Sequence, residues 1–428
     1  IITSEDKKIT YKELYQKSED IKKKFKTRSL VFLLSGNNLE TIITYLSLLK
    51  NKSVVFFIDK NINIIFLKNL IEQYRPNYII GNLHNKFDNY KKKSYLNDYK
   101  IFVQKKYRKI KLFKDLAILL TTSGTTGTKK LVRQSYQNYI SNTKSIVNKL
   151  KINSSISTIT TLPISYTFGL SIINSHLYSG STIILNDNSV LQKGFWEKYN
   201  KHKPKSIYGV PYTYELLSKI GISKVNHDRL KIIAHAGGRL NKNLFLEISK
   251  FSEKNQIKFF SMYGQAEATA RMSILDYKYS LTKINSIGKP ISGGKFIIKN
   301  DKKKIINTFN KPGELFYYGD NVCLGYAKSY LDLKKGDENQ KIINTGDIAL
   351  FDKDKFYFIV GRKKRIIKIF GNRVSLDEIE MIIEKMGYKV ICKNVDDKLC
   401  INYIDKNLNE FLLKKELFKL LKINPKFI

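Results

Sequence analysis

Leu119-Leu120-Thr121-Thr122-Ser123-Gly124-Thr125-Thr126-Gly127-Thr128-Lys129-Lys130 closes an apolar run that begins at Leu116. The run Leu116 to Leu120 reads as a buried strand that empties into hydroxyls, two glycines and two lysines. Such a loop suits a polyphosphate. Glycines let successive backbone N–H groups turn inward as an anion nest, Ser and Thr hydroxyls donate further hydrogen bonds, and lysine adds point charge. It is not a Walker A loop, because Gly124 and Gly127 stand too close together and no Gly-Lys-Ser/Thr follows. A bare Ser/Thr/Gly cluster reads equally as a surface turn, so the surrounding chain has to decide.

Upstream, helical and strand patterns alternate. Thr10 with Glu13 has capping-box spacing ahead of a helix running to about Phe25. Strand Leu30 to Leu34, helix Leu39 to Leu49, strand Val54 to Ile58, helix Ile64 to Gln73 and strand Tyr78 to Ile80 follow. That order predicts a mostly parallel α/β sheet. Lys86 to Lys114 is polar and weakly periodic and reads as a connector. Beyond the loop, Leu131-Val132 predicts a returning strand and Tyr136 to Leu150 a helix. Strands are then predicted at Ser181 to Leu185, Ile207-Tyr208 and Ile232 to His235, the last running into Gly237-Gly238. Tyr166 and Phe168 lie in an aromatic turn before an apolar helix, where core aromatics are the commoner outcome. His235 reads as a core or edge histidine rather than a catalyst.

Three later stretches could carry chemistry. Phe259-Phe260-Ser261-Met262-Tyr263-Gly264-Gln265-Ala266-Glu267 delivers an aromatic, a glycine and a carboxylate into one loop. Tyr263 could stack on a purine and Glu267 could offer oxygen to Mg²⁺, although an ordinary Tyr-Gly turn with a solvated Glu has the same pattern. From Ile287 onward short strands with Gly, Pro and Asp turns predict a β-rich region containing Asn344-Thr345-Gly346-Asp347. Asp347 can accept both hydrogen bonds of a ribose diol, and Arg362 in Gly361-Arg362-Lys363-Lys364-Arg365 can reach sugar or phosphate oxygens. That basic run is equally a solvated strand edge. A capped helix at Leu376, an alternating segment from Lys389 to Ile404 and a helix from about Asn409 to Leu421 close the chain.

At 428 residues the chain is long enough for more than one domain, and 42% hydrophobic content is that of a globular protein. The formal charge of +40 stands out. Its lysines are spread along the whole length beside abundant Ile, Asn, Tyr and Phe, the product expected of an AT-rich coding sequence. No RNA-recognition, helix-turn-helix or zinc-finger pattern accompanies them, so no nucleic-acid partner is expected. The charge favours acidic partners such as a nucleotide, coenzyme A or an acidic carrier protein. Cys323, Cys392 and Cys400 have no CxxC spacing, which fits a reducing cytoplasm rather than a disulfide framework or zinc site. No apolar segment approaches the ~20 residues of a membrane span. The chain begins at Ile1 without an initiator Met, and the N-terminus is expected to be trimmed.

Taken together, these stretches resemble the acyl-adenylate-forming, AMP-binding superfamily of acyl-CoA synthetases, peptide-synthetase adenylation domains and luciferases. The resemblance runs from about Thr10 to the last helix. Asn372-Arg373-Val374-Ser375-Leu376-Asp377-Glu378-Ile379-Glu380 looks most like the short free-standing acyl ligases that load coenzyme A or a phosphopantetheine carrier. The resemblance implies an α/β fold: a large N-terminal domain, residues 1–363, with mostly parallel sheets flanked by helices and a β-rich subdomain at about 285–360. A small mobile α+β C-terminal domain, residues 364–428, would follow a hinge at Lys364. It implies that Thr122, Ser123, Gly124, Thr125, Thr126, Gly127 and Lys130 hold the β- and γ-phosphates of ATP. Gly237 and Gly238 would flank the adenine and Tyr263 would stack on it. Glu267 would carry Mg²⁺, and Asp347 and Arg362 would bind the ribose. A carboxylic acid would be activated to acyl-AMP and passed to a thiol of coenzyme A or an acyl carrier protein.

Three departures accompany the resemblance. Lys129 stands where the family has proline, Ala266 stands where it often has a threonine that touches the reacting phosphate, and no Gly-Lys motif precedes Ile428. The chain is therefore expected to be truncated before the lysine that bridges carboxylate and α-phosphate. The alternative from another class is a weakened, nucleotide-binding pseudoenzyme.

Overall fold

Alternate residues of Leu30–Ser35 and Val54–Asp59 enter two different cores, which makes these strands the middle of a sheet covered on both sides. Val31, Leu33, Val55 and Phe57 belong to one core, and Leu30, Phe32, Leu34, Val54 and Phe56 to the other. The period of two in the side chains thus converts a continuous apolar run into two packed faces. The computed structural model describes residues 1–121, 130–369, 372–395, 398–404 and 408–421.

Among the described residues this sheet has eight strands, in the order Gly325–Ala327, Leu131–Ser135, Leu116–Leu120, Val54–Asp59, Leu30–Ser35, Tyr78–Gly81, Tyr99–Gln104, Tyr90–Leu96. Leu116–Leu120, Val54–Asp59, Leu30–Ser35 and Tyr78–Gly81 run parallel, and the strands at both margins are antiparallel. One expectation needs correction: Lys86 to Lys114 is not only a connector, because it holds the hairpin Tyr90–Leu96 and Tyr99–Gln104. Asn97 and Asp98 form its tight turn, with Asn97 at φ 47°. Lys91, Lys92 and Lys93 are exposed along an edge strand, so the usual apolar alternation is missing there.

A second sheet has seven strands among the described residues: Lys289–Pro290, Ser273–Leu275, Lys258–Tyr263, Ile232–His235, Ser206–Gly209, Thr158–Ile159, Ile183–Ile184. Its five strands from Lys258–Tyr263 onward in that order are parallel. Helices Tyr136–Leu150 and Thr167–Tyr178 contribute to the core on one face, where Ile146, Phe168 and Ile172 meet Tyr208, Ala234 and Phe260. Loops of interest leave the carboxyl ends of parallel strands in both sheets, the usual position for ligand sites in α/β folds.

The chain divides into two compact units, residues 1–295 with 318–343 and residues 296–317 with 344–428. Among the described residues the second holds most of a four-stranded sheet, Lys295–Lys299, Gly313–Tyr318, Ile342–Phe351 and Tyr357–Arg362. It continues into hairpin Ile366–Ile369/Asn372–Ser375, helix Leu376–Lys385, hairpin Val390–Val395/Lys398–Tyr403 and helix Glu410–Leu421. Leu376, Ile379, Ile383, Cys392, Leu399, Leu413 and Leu417 give this α+β segment its own core. Among the described residues, no helix is long and apolar enough to cross a membrane.

Candidate active site

Leu116–Leu120 is fully buried and pairs antiparallel with Leu131–Ser135, so the two strands deliver Thr121 and Lys130 to the same end of the sheet. Thr122, Ser123, Gly124, Thr125, Thr126 and Gly127, expected to hold phosphates, lie outside the described residues. Lys130 is described, and its ammonium sits 3.9 Å from the centre of the Tyr326 ring. Tyr326 is paired with Val132 across the sheet, and its hydroxyl donates to Glu267 Oε1 at 2.7 Å. One tyrosine therefore links two residues that lie far apart in sequence. Burial, then the Glu267 charge, pushes the Tyr326 hydroxyl well above its ordinary range, so it stays a donor.

Tyr326 is held by a buried arginine. Arg133 is fully buried, and its guanidinium donates to the carbonyls of Tyr326 at 3.1 Å and Leu324 at 2.9 Å and to Glu338 at 2.5 Å. It also reaches the Lys335 and Gly336 carbonyls. Gly325, at φ +119°, leaves room for this, since a Cβ there would meet Glu338 Oε2 at 2.8 Å.

Glu267 comes from the loop after strand Lys258–Tyr263. A Cβ on Gly264 would stand 1.5 Å from the Ala270 carbonyl oxygen, so only glycine lets the loop close on itself. The Gln265 carbonyl accepts from Ala268 N–H and Ala270 N–H, while Thr269 and Ala270 take positive φ of 56° and 79°. Ala266 is buried with Val132 and Cys323, and Gln134 donates to its carbonyl at 2.6 Å. The Tyr263 carbonyl accepts from Met272 N–H, which fixes the start of the loop.

Gly237 and Gly238 follow strand Ile232–His235. A Cβ on Gly237 would stand 2.6 Å from the Tyr166 hydroxyl, and one on Gly238 would stand 3.0 Å from Pro211. The two glycines thus lie against Tyr166 of the aromatic turn and the Val210-Pro211 turn. His235 is buried, donates through Nε2 to the Gly238 carbonyl at 3.2 Å and is pushed down to about 4 by burial. It is a core histidine, with Nδ1 left without a partner.

In the second unit Asp347 and Arg362 are directly opposite on antiparallel strands. Arg362 Nε is 3.4 Å from Asp347 Oδ1, with Asp347 nearly covered and Arg362 mostly exposed. Lys364 lies in the turn Lys363–Arg365, and its side chain is outside the described residues. Arg365, next to it, is tied to Asp377 at 2.5 Å and Glu380 at 2.6 Å on helix Leu376–Lys385.

Residues 1–327 match the family described as AMP-binding enzyme. The chain belongs to this family. Among curated relatives, 2-succinylbenzoate–CoA ligase of Geobacillus sp. is 27% identical over 277 residues, 63% of this chain and 54% of that protein. Oxalate–CoA ligase of Arabidopsis thaliana is 27% identical over 332 residues, 71% of this chain and 63% of that protein. The chain thus spans about half to two thirds of the length of these relatives. Among solved structures, the O-succinylbenzoate coenzyme A synthetase of Bacillus subtilis in complex with ATP and magnesium ion has a similar fold. It gives a TM-score of 0.76 at 17% identity, covering 98% of this chain and 90% of that one.

The AMP-binding enzyme fold presents its candidate groups from residues that sequence spacing could not gather. Sequence reasoning missed Tyr326 and Arg133. Tyr326 sits in a three-residue strand with no motif around it, whereas a charged residue inside Leu131-Val132-Arg133 was a usable signal of a buried ion. Arg271, between Ala270 and Met272, gave the same signal and was also missed. Among the described residues no cluster of three or more His, Cys, Asp or Glu could hold a metal alone. A single carboxylate held on one oxygen, as Glu267 is, suits Mg²⁺ that arrives with substrate phosphates.

Proposed function

We propose that this AMP-binding enzyme activates a carboxylic acid with ATP and passes the acyl group to the thiol of coenzyme A. A substrate carboxylate oxygen attacks the α-phosphorus, the bond to the β-phosphate oxygen breaks, and acyl-AMP and pyrophosphate form. The thiol then attacks the acyl carbon, its proton is lost, and AMP leaves as the thioester forms. Catalysis in the first step is positioning and charge neutralisation, since the protein makes no covalent bond.

The observation that carries this reading is the Lys130–Tyr326–Glu267 arrangement at the exit of the glycine- and hydroxyl-rich loop. It joins a cation and a carboxylate through one tyrosine, which fits a magnesium-bound polyphosphate. In the proposal Thr122, Ser123, Gly124, Thr125, Thr126, Gly127 and Lys130 hold the β- and γ-phosphates. Glu267, oriented by Tyr326, holds Mg²⁺, whose chemistry is to neutralise phosphate charge. Gly237 and Gly238 lie along the adenine and Tyr263 stacks on it. Asp347 takes the ribose hydroxyls with Arg362 beside it, and Lys364 is the hinge between adenylation and thiol transfer. Relatives named as coenzyme A ligases support coenzyme A as acceptor.

Carboxylate-dependent ATP–pyrophosphate exchange over a panel of fatty, hydroxy, aryl and amino acids tests the first step. Exchange with one acid class, followed by thioester formation with coenzyme A, supports the proposal. A thioester formed only on a phosphopantetheine carrier moves the acceptor. ATP binding with no exchange for any acid favours the pseudoenzyme reading, which Ala266 motivates because it offers no hydroxyl to the phosphate.

A further inference from the structure

Arg271 lies just outside strand Ser273–Leu275, four residues beyond Glu267, and its side chain is fully buried. Its Nε and both terminal nitrogens have no hydrogen-bond partner. No carboxylate among the described residues forms an ion pair with it. The guanidinium instead lies 5.3 Å from the Phe168 ring centre and 5.7 Å from that of Tyr208. The Tyr208 hydroxyl is likewise buried without a partner. His176 closes the cluster, its ring 5.5 Å from that of Tyr208. Its Nδ1 donates to the Ile172 carbonyl and its Nε2 contacts Ser206.

This is a charge set in an apolar layer. Phe168, Tyr208, Ala234, Phe260 and Met262 belong to one buried cluster that also takes in Tyr166 and Val210 at its margin. Tyr166 lies against Gly237, and Phe168, two residues on, lies against Arg271. Burial lowers the guanidinium only to about 10, so it is charged at neutral pH. Burial raises the Tyr208 hydroxyl to about 12, so that group does not supply the compensating negative charge. Cation–π contacts offset part of the desolvation, but five N–H donors remain without an acceptor. A buried charge in that state is costly unless an anion completes it.

We propose that Arg271 is a specificity-determining residue that receives a second carboxylate of the acid substrate, so that the chain activates a dicarboxylic acid rather than a simple fatty acid. The inference rests on the acid-activating reading above. The planar fork of Arg271 would bind the remote carboxylate in a bidentate pair, with the Tyr208 hydroxyl as a further donor, while the other carboxylate reacts. The bond-forming chemistry is unchanged; only the choice of acid is set here.

The test compares straight-chain and aryl dicarboxylic acids with monocarboxylic acids of the same length, each with MgATP. Thermal shift reads binding and pyrophosphate exchange reads turnover. A dicarboxylic acid is expected to raise the melting temperature and to exchange on the order of 100-fold faster than its matched monoacid, as for other sites whose polar groups are left unpaired by the wrong substrate. Arg271→Met should erase that preference by lowering diacid exchange to the rate of the matched monoacid, and it should keep the fold, because an apolar replacement of an unpaired buried ion does not by itself destabilise. Arg271→Lys keeps the charge without the fork and should lower the preference about 10-fold, which decides the matter if the Met variant does not fold. Monoacids that exchange as well as diacids would overturn this inference and leave the acid-activating reading intact. So would an unchanged preference in either folded variant. Silence from every acid would overturn both.

Discussion

Tyr326 donates its hydroxyl to Glu267 at 2.7 Å while its ring carries the Lys130 ammonium at 3.9 Å. The hydroxyl fixes which oxygen of Glu267 is engaged and, in the function proposed above, leaves the other for Mg²⁺. Removing it frees the carboxylate to rotate without removing its charge.

Tyr326→Phe should therefore cost a hydrogen bond to a charged group, about 1.5–3 kcal/mol, or roughly 10- to 100-fold in exchange rate at limiting Mg²⁺. Saturating Mg²⁺ should recover much of this loss, and Glu267→Ala should not be recovered. A Mg²⁺ titration of pyrophosphate exchange in the two variants checks it. Equal Mg²⁺ requirements in wild type and Tyr326→Phe would show that the tyrosine does not orient the carboxylate.

The loop that presents Glu267 depends on backbone approach. An added Cβ at Gly264 would stand 1.5 Å from Ala270 O, 2.5 Å from Ala270 C and 3.0 Å from Arg271 Cα, all backbone atoms that have no rotamer to change. Gly264→Ala is expected to destabilise the fold by more than about 4 kcal/mol, read from the denaturant midpoint. Ala270→Gly acts in the opposite direction. Relieving φ 79° should stabilise by about 1 kcal/mol.

How much of this was legible in the sequence follows from the range over which each feature is encoded. The parallel strands were readable because Leu30 to Leu34 and Val54 to Ile58 are apolar at every position, which only a doubly covered strand requires. The hydroxyl- and glycine-rich stretch Thr121 to Lys130 and the stretch Tyr263 to Glu267 stood out because their glycines and polar residues are contiguous. The hairpin Tyr90–Leu96/Tyr99–Gln104 was not, because an edge strand rich in lysine has the composition of a loop. Tyr326 acquires its role only when Gly325–Ala327 pairs with Leu131–Ser135, a contact nearly two hundred residues apart in sequence. Arg271 was visible as a charge between apolar residues, but only burial distinguishes an unpaired guanidinium from a solvated one.

In the second unit, Asp347 is nearly covered and lies opposite Arg362. A carboxylate committed to a ribose diol should make the protein discriminate ATP from 2′,3′-dideoxy-ATP. We expect at least about 10-fold weaker binding of the dideoxy analogue to wild type, the low end for a single hydrogen bond to a charged acceptor. Asp347→Ala should bind the two nucleotides alike. Isothermal titration with both nucleotides checks it, and discrimination that survives the substitution would assign the ribose to another group.

Acid should unfold the first unit through its buried histidines. His176 is held at about 4 by burial first, with the Arg271 charge adding to the depression and the Ile172 carbonyl opposing it. His235 is held at about 4 by burial against the Gly238 carbonyl. In the unfolded chain both return to 6.5, so between these values the unfolded state binds the extra protons. Their contribution is therefore intact above 6.5, falls as the pH drops, and is fully lost below about 4. A tenfold difference in proton affinity between folded and unfolded chain is worth about 1.4 kcal/mol, so each histidine accounts for about 3 kcal/mol across that window. His176→Gln is expected to flatten the dependence of unfolding free energy on pH between 6.5 and 4 by about half, and adding His235→Gln should remove most of the remainder. Urea unfolding at several pH values measures this. An unchanged slope in the double variant would assign acid sensitivity to the carboxylates instead.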